Sequence, residues 1–132
     1  TAASTGTLTI SVADTHSGGL ANIGAIHFSG QNASPIVGYA AANSTTSPLS
    51  TGTFSAGASA GQGIVVFGTS ITSSITWLAG SAPSGLVIPT NGQQASNGSM
   101  AVEYVIVSGT QTSANIAWTG GNFQDVIGVV IH

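Results

Sequence analysis

The sequence predicts an all-β protein, an Ig-like or jelly-roll antiparallel sandwich of nine or ten short strands. Three observations carry this expectation. β-Branched residues dominate the apolar set, and short runs of them alternate with Ser and Thr at the period of two that marks a half-buried strand. Gly, Pro and Asn-Gly dipeptides punctuate these runs at about the spacing of a sandwich. Nowhere do apolar residues recur at i, i+3, i+4 and i+7 between caps, as an amphipathic helix requires.

The first strand sets the organisation. Leu8, Ile10 and Val12 alternate with Thr7, Thr9 and Ser11, giving one apolar and one hydroxyl face. The stretch lacks charge, Lys and Pro, the devices that stop a terminal strand from pairing with another molecule. A small, polar leader (residues 1–5) precedes it, and the turn-rich link Asp14-Thr15-His16-Ser17-Gly18-Gly19 follows, long enough for the strand to swing away from its own domain. The strand either folds back or is donated to another copy. We expect donation, which divides the chain into a leader and donor strand (1–13) and a single sandwich domain (14–132).

Further strands are expected over residues 22–29 and 36–40, the latter behind Pro35. Residues 43–48 read as a polar loop, 49–54 as a short strand and 57–61 as a turn. The run Gln62-Gly63-Ile64-Val65-Val66-Phe67-Gly68 does not alternate, which marks a strand covered on both faces. Residues 71–78 place Ile71, Ile75 and Trp77 on one side. Residues 86–88 form a short segment between Pro83 and Pro89. Asn91-Gly92 and Asn97-Gly98 are the strongest turn dipeptides. Over 100–107, Met100, Val102, Tyr104 and Ile106 share a face, which puts Glu103 on the other, in solvent. Strands over 114–119 and 123–131, joined by Gly120-Gly121, close the chain.

Charge is nearly absent. There is no Lys or Arg, and Asp14, Glu103 and Asp125 are the acidic residues, 2% of the chain against about a quarter in an ordinary domain. Nucleic-acid binding depends on Lys and Arg neutralising phosphates, so it is excluded, as is attraction to anionic lipid. Association must instead use apolar burial and hydrogen bonds, and a weakly charged surface favours association. Without Cys there are neither disulfides nor thiolate metal sites. The longest apolar run, at residues 126–131, is far short of the ~20 residues of a membrane span, so no membrane insertion is expected. A Lys-free surface rich in Ser, Thr, Asn and Gly points to the extracellular space or cell surface, with Thr1 expected as a mature terminus after export.

The closing pattern, an alternating strand ending in Trp118-Thr119, a Gly turn, Phe123 and then Asp125-Val126-Ile127-Gly128-Val129-Val130-Ile131, resembles Ser/Thr/Gly-rich Ig-like or jelly-roll sandwiches of secreted bacterial and phage-associated proteins of unknown function. The resemblance covers most of the chain but is one of style, without a diagnostic motif. Such domains are also similar to pilus-like fibre subunits, in which a terminal strand completes the fold of another subunit. That resemblance implies a fibre role here.

The candidate chemistry is thin. Gly57-Ala58-Ser59-Ala60-Gly61 matches the G-x-S-x-G pattern, but a strand follows it where a nucleophile elbow needs a helix. Asp14, His16, His27 and His132 have no recognised metal-ligand spacing, so no metal or cofactor is expected. Glu103 and Asp125 are the carboxylates for an acid–base pair, yet no cation is available to position a substrate, and we expect no enzymatic activity. Trp77 and Trp118 are in phase with Ile75 and Ile116 and belong to the core, leaving Tyr39 as the candidate for sugar stacking. Asn32, Asn43 and Asn97 begin Asn-x-Ser/Thr triplets and are candidate glycan acceptors.

Two functions follow as expectations. The first is a structural protomer of an extracellular, pilus-like filament, a helical homopolymer built by inserting Thr7, Leu8, Thr9, Ile10, Ser11 and Val12 into a groove of another copy. The second is a carbohydrate-binding or adhesin sandwich.

Overall fold

A computed structural model describes residues 26–30, 32–72, 74–94, 98–121 and 124–132. The expected donor strand, the Asp14–His16 pair and Asn97 lie outside these residues. The described chain folds as an antiparallel two-sheet sandwich. In chain order the strands are β1 (Ile36–Ser44), β2 (Leu49–Ser50), β3 (Gly63–Ser70), β4 (Thr76–Leu78), β5 (Gln93–Gln94), β6 (Ser99–Ile106), β7 (Asn115–Thr119) and β8 (Gln124–Ile131). One sheet has five strands in the order β1-β8-β3-β6-β5, and the other has three in the order β2-β7-β4.

The core lies between the sheets. Ile64 and Val66 of β3, Val126 and Val130 of β8 and Ala101 and Val105 of β6 meet Leu49, Trp77, Ile116 and Trp118 of the smaller sheet, with Phe54 and Leu86 closing the sides. Trp77 and Trp118 are cross-strand partners, as expected of core residues, and stack edge to face at 6.1 Å and 63°. The Trp77 Nε1–H donates to Ser99 Oγ at 2.5 Å, so its polar edge is satisfied inside the core. Trp77 can lie this close to β3 because residue 68 is glycine: a Cβ there would stand 2.6 Å from the indole.

Short polar side chains end the strands. The Oγ atoms of Ser44, Ser50 and Ser70 accept the N–H groups of Thr46, Gly52 and Thr72, at 3.0, 3.1 and 3.0 Å. Each serine thus closes a local turn at the last residue of β1, β2 or β3, where the hydroxyl competes with the ladder for backbone groups. This corrects two expectations. The strand expected over 49–54 stops at Ser50, and Ile71 falls in the turn after β3, exposed, while Ile75 and Trp77 are buried as expected.

Other expectations shift too. Residues 26–29 are not a strand. β1 runs on through Asn43 and Ser44, expected in a loop, because they pair with Asp125 and Gln124 of β8. β3 is buried on both faces, as its lack of alternation implied. Asn91 takes a positive φ of 66° as the third residue of a turn closed by the Gly92 N–H to Pro89 C=O at 2.8 Å, the left-handed position of a type II turn; the expected Asn-Gly dipeptide thus turns the chain with Gly92 at its last position.

The largest correction concerns β6. Its alternation is as expected, but the face reading was inverted. Ala101, Glu103 and Val105 face the core, and Met100, Val102, Tyr104 and Ile106 face outward. Glu103 is therefore fully buried. Both phases of this strand are apolar, so its sequence does not reveal which one the second sheet covers.

Candidate assembly surface

The outer face of the five-stranded sheet is built from side chains that ordinarily sit inside. Cross-strand partners share a face, so the register defines its rows. Tyr39, Val129, Val65 and Tyr104 form one row across β1, β8, β3 and β6, and Ala41, Ile127, Phe67 and Val102 form the next. Asn43, Asp125, Thr69 and Met100 make a third, more polar row. An antiparallel sheet with one wet face normally alternates apolar with polar. Here β8 does so only at Asp125; Ile127, Val129 and Ile131 point outward while Val126 and Val130 point in.

Part of this face is covered from within the chain. Phe28 stands edge-on against Tyr104, ring centroids 6.5 Å apart, and residues 28–30 share a small depression with Gly63, Ile106 and Ile131. The chain then turns along the end of β8, where Asn32 N–H donates to His132 C=O and His132 N–H to Pro35 C=O, and enters β1. Tyr39, Ile106 and Ile127 keep 64%, 60% and 50% of their surface exposed. Between them Val65, Met100 and Val102 face outward yet are buried, so the exposed apolar side chains of this face are separate ones around a covered centre.

β1 is also an open edge. Tyr39 turns its backbone away from β8: its N–H donates to Ser55 Oγ at 3.1 Å and its C=O accepts from Ser55 N–H at 3.0 Å. Beyond Tyr39 this cover ends. The other edge of the sheet, β5, is two residues long.

The remaining candidates scatter. Glu103 and Asp125 lie on opposite faces of the sheet, with β3 between their strands, so they are not brought together as an acid–base pair. Glu103 Oε2 accepts the Gly80 N–H at 2.8 Å while Oε1 has no partner among the described residues. Burial pushes its carboxyl up to about 7, the Gly80 hydrogen bond opposing the rise. Its role is to pin the segment after β4 to β6. Ser59 is exposed in a turn, its N–H bonded to Gln62 Oε1, and β3 follows directly, which is not the geometry of a nucleophile elbow. His27 is exposed outside any strand, and His132 Nδ1 accepts from Asn32 Nδ2 at 2.8 Å. Among the described residues no three His, Cys, Asp or Glu side chains cluster as metal ligands.

Of the glycan candidates, Asn43 is exposed on β1 and not in a loop, and Asn32 is exposed with its amide engaged by His132. Tyr39 is exposed as required for stacking. An open depression of about 440 Å³ lies further along the sheet, lined by Ala41, Asn43, Thr69, Asp125 and Ile127 and not by Tyr39.

Sequence reasoning missed the outward rows. The signal was present in residues 126–131, apolar in both phases. No family model, curated protein or solved structure matches the chain.

Proposed function

We propose that this protein is a structural protomer of an extracellular filament, self-assembling by lending the strand at residues 7–12 to a neighbouring copy. The observation that carries the reading is the outer face of the five-stranded sheet, apolar in successive rows and bordered by an open edge strand. With no Lys or Arg in the chain, attraction between copies rests on apolar burial and backbone hydrogen bonds. Both are offered by an added strand. Full burial of Leu8, Ile10 and Val12 contributes about 2 kcal/mol each before the cost of ordering the segment. A head-to-tail contact of this kind propagates into an open helix.

Removing residues 1–13 tests it. The truncated chain is expected to remain a soluble monomer of lower stability, seen as single particles by negative-stain microscopy where the full chain gives fibres. Fibres of the truncated chain would rule out strand donation.

A second reading, a carbohydrate-binding sandwich, is favoured by the exposed ring of Tyr39 on the outer face. An exposed aromatic ring suits the apolar face of a sugar. On this reading a glycan array gives binding by a monomer that falls at least tenfold in Tyr39→Ala. Equal signals from the two proteins would remove it.

A further inference from the structure

The unpaired half of β1 gives the strand-donation reading a specific receiving edge. Backbone direction alternates along an antiparallel strand. Tyr39 points its N–H and C=O away from β8, so Ala41 and Asn43, two and four residues on, turn theirs the same way. Ser55 serves Tyr39, but nothing among the described residues bonds the outward groups of Ala41 and Asn43. Two donors and two acceptors therefore line an edge about 7 Å long. None of the usual protection is present: residues 40–44 hold no Lys, Pro or inward-pointing charge. On the inner side of the same stretch, Ala40 and Ala42 pack against the core yet remain only half-buried. The facing sheet there is reduced to β2, two residues long.

We infer that the β1 edge at residues 41–44 receives residues 7–12 of a second copy of this chain, an inference that rests on the strand-donation reading. The polarity of the two elements matches. With Leu8, Ile10 and Val12 on the side of Ala40 and Ala42, the large side chains enter where the core is bordered by small ones. Thr7, Thr9 and Ser11 then lie on the side of Asn43 and Asp125. A second copy suits the edge better than the chain's own segment. A strand folded back leaves Ile106 and Ile127 in water, whereas a neighbour that lends its strand also brings surface to cover them.

Engineered cysteines give a direct test, because the chain has none of its own. A tagged full-length chain carrying Leu8→Cys, Ile10→Cys or Val12→Cys is mixed with an untagged chain carrying Ala42→Cys and oxidised. The expected result is a covalent heterodimer with at least one of the three donors, resolved by mass. In a chain carrying Ile10→Cys and Ala42→Cys together, a ladder of linked copies is expected; a disulfide closed within one chain would overturn the inference. Ala41→Pro adds a second measurement. It removes one outward N–H while leaving the ladder to β8 intact, and should raise the concentration needed for assembly at least tenfold. Normal assembly of Ala41→Pro, with no heterodimer from any donor, would overturn the receiving edge. If assembly of the same protein still required residues 1–13, strand donation would survive that result.

Discussion

Glu103 sits in a core that holds no cation, with one carboxylate oxygen bonded to Gly80 and the other without a partner among the described residues. Its ordinary value is 4.5 and its value in the fold about 7. The folded state therefore holds this proton more tightly than the unfolded chain does. The contribution of Glu103 to stability is greatest below 4.5, falls as pH rises through the interval, and levels off above about 7. A gap of this size corresponds to about 3 kcal/mol. Urea unfolding at about pH 4 and about pH 8 should show that loss, and Glu103→Gln should abolish most of it, leaving the variant more stable than the parent at the higher pH. Identical pH profiles for the two proteins would show that Glu103 is not the responsible group. This burial was not legible in the sequence. Met100, Val102, Tyr104 and Ile106 are the bulkier set and attract the core assignment, whereas the smaller Ala101 and Val105 are the ones the second sheet covers.

At the scale of elements, the strands most legible in the sequence were those with a strong local signal. β3 showed its two-sided burial as unbroken hydrophobicity, and β7 showed its inward row as Ile116 and Trp118. Strand ends were harder to read. Ser44, Ser50 and Ser70 stop their strands through a hydroxyl bonded two residues on, a choice that Ser makes only in context, since the chain carries many other serines that end no strand. β1 was read too short because Asn43 and Ser44 look like loop residues. An edge strand tolerates them, having one side open to water. That open side makes a prediction by hydrogen exchange. In the monomer the amides of Ala41 and Asn43 should exchange quickly, while Ala40 and Ala42, turned toward β8, exchange slowly. In the assembled state all four should be slow. Fast exchange at Ala41 and Asn43 in both states would place the added strand elsewhere.

For the whole molecule, composition limits what could hold copies together, and the register shows which face is apolar. A chain with a formal charge of −3 and no Lys or Arg cannot be held to its copies by Lys or Arg ion pairs, which is plain from composition. That one sheet carries apolar side chains on both faces became clear only from the register, which aligns Ala41, Ile127, Phe67 and Val102 across four strands. Molar salt should leave the assembled fraction unchanged or raise it, since screening weakens charge pairs and not apolar contacts. Sedimentation at low and high salt measures this, and release of monomer by salt would contradict a contact of this kind. Ile127→Lys, on the exposed outer face, should abolish assembly while costing the monomer about 1 kcal/mol or less. Unaltered assembly of that variant would remove the outer face from the contact.

We propose that copies of this chain cohere through a strand that leaves its own subunit. A helical reconstruction of the assembled protein at side-chain resolution tests it most directly. Residues 7–12 of each subunit should run beside β1 of a neighbour, with Leu8, Ile10 and Val12 buried there. Density showing those residues hydrogen-bonded only within their own subunit would contradict it.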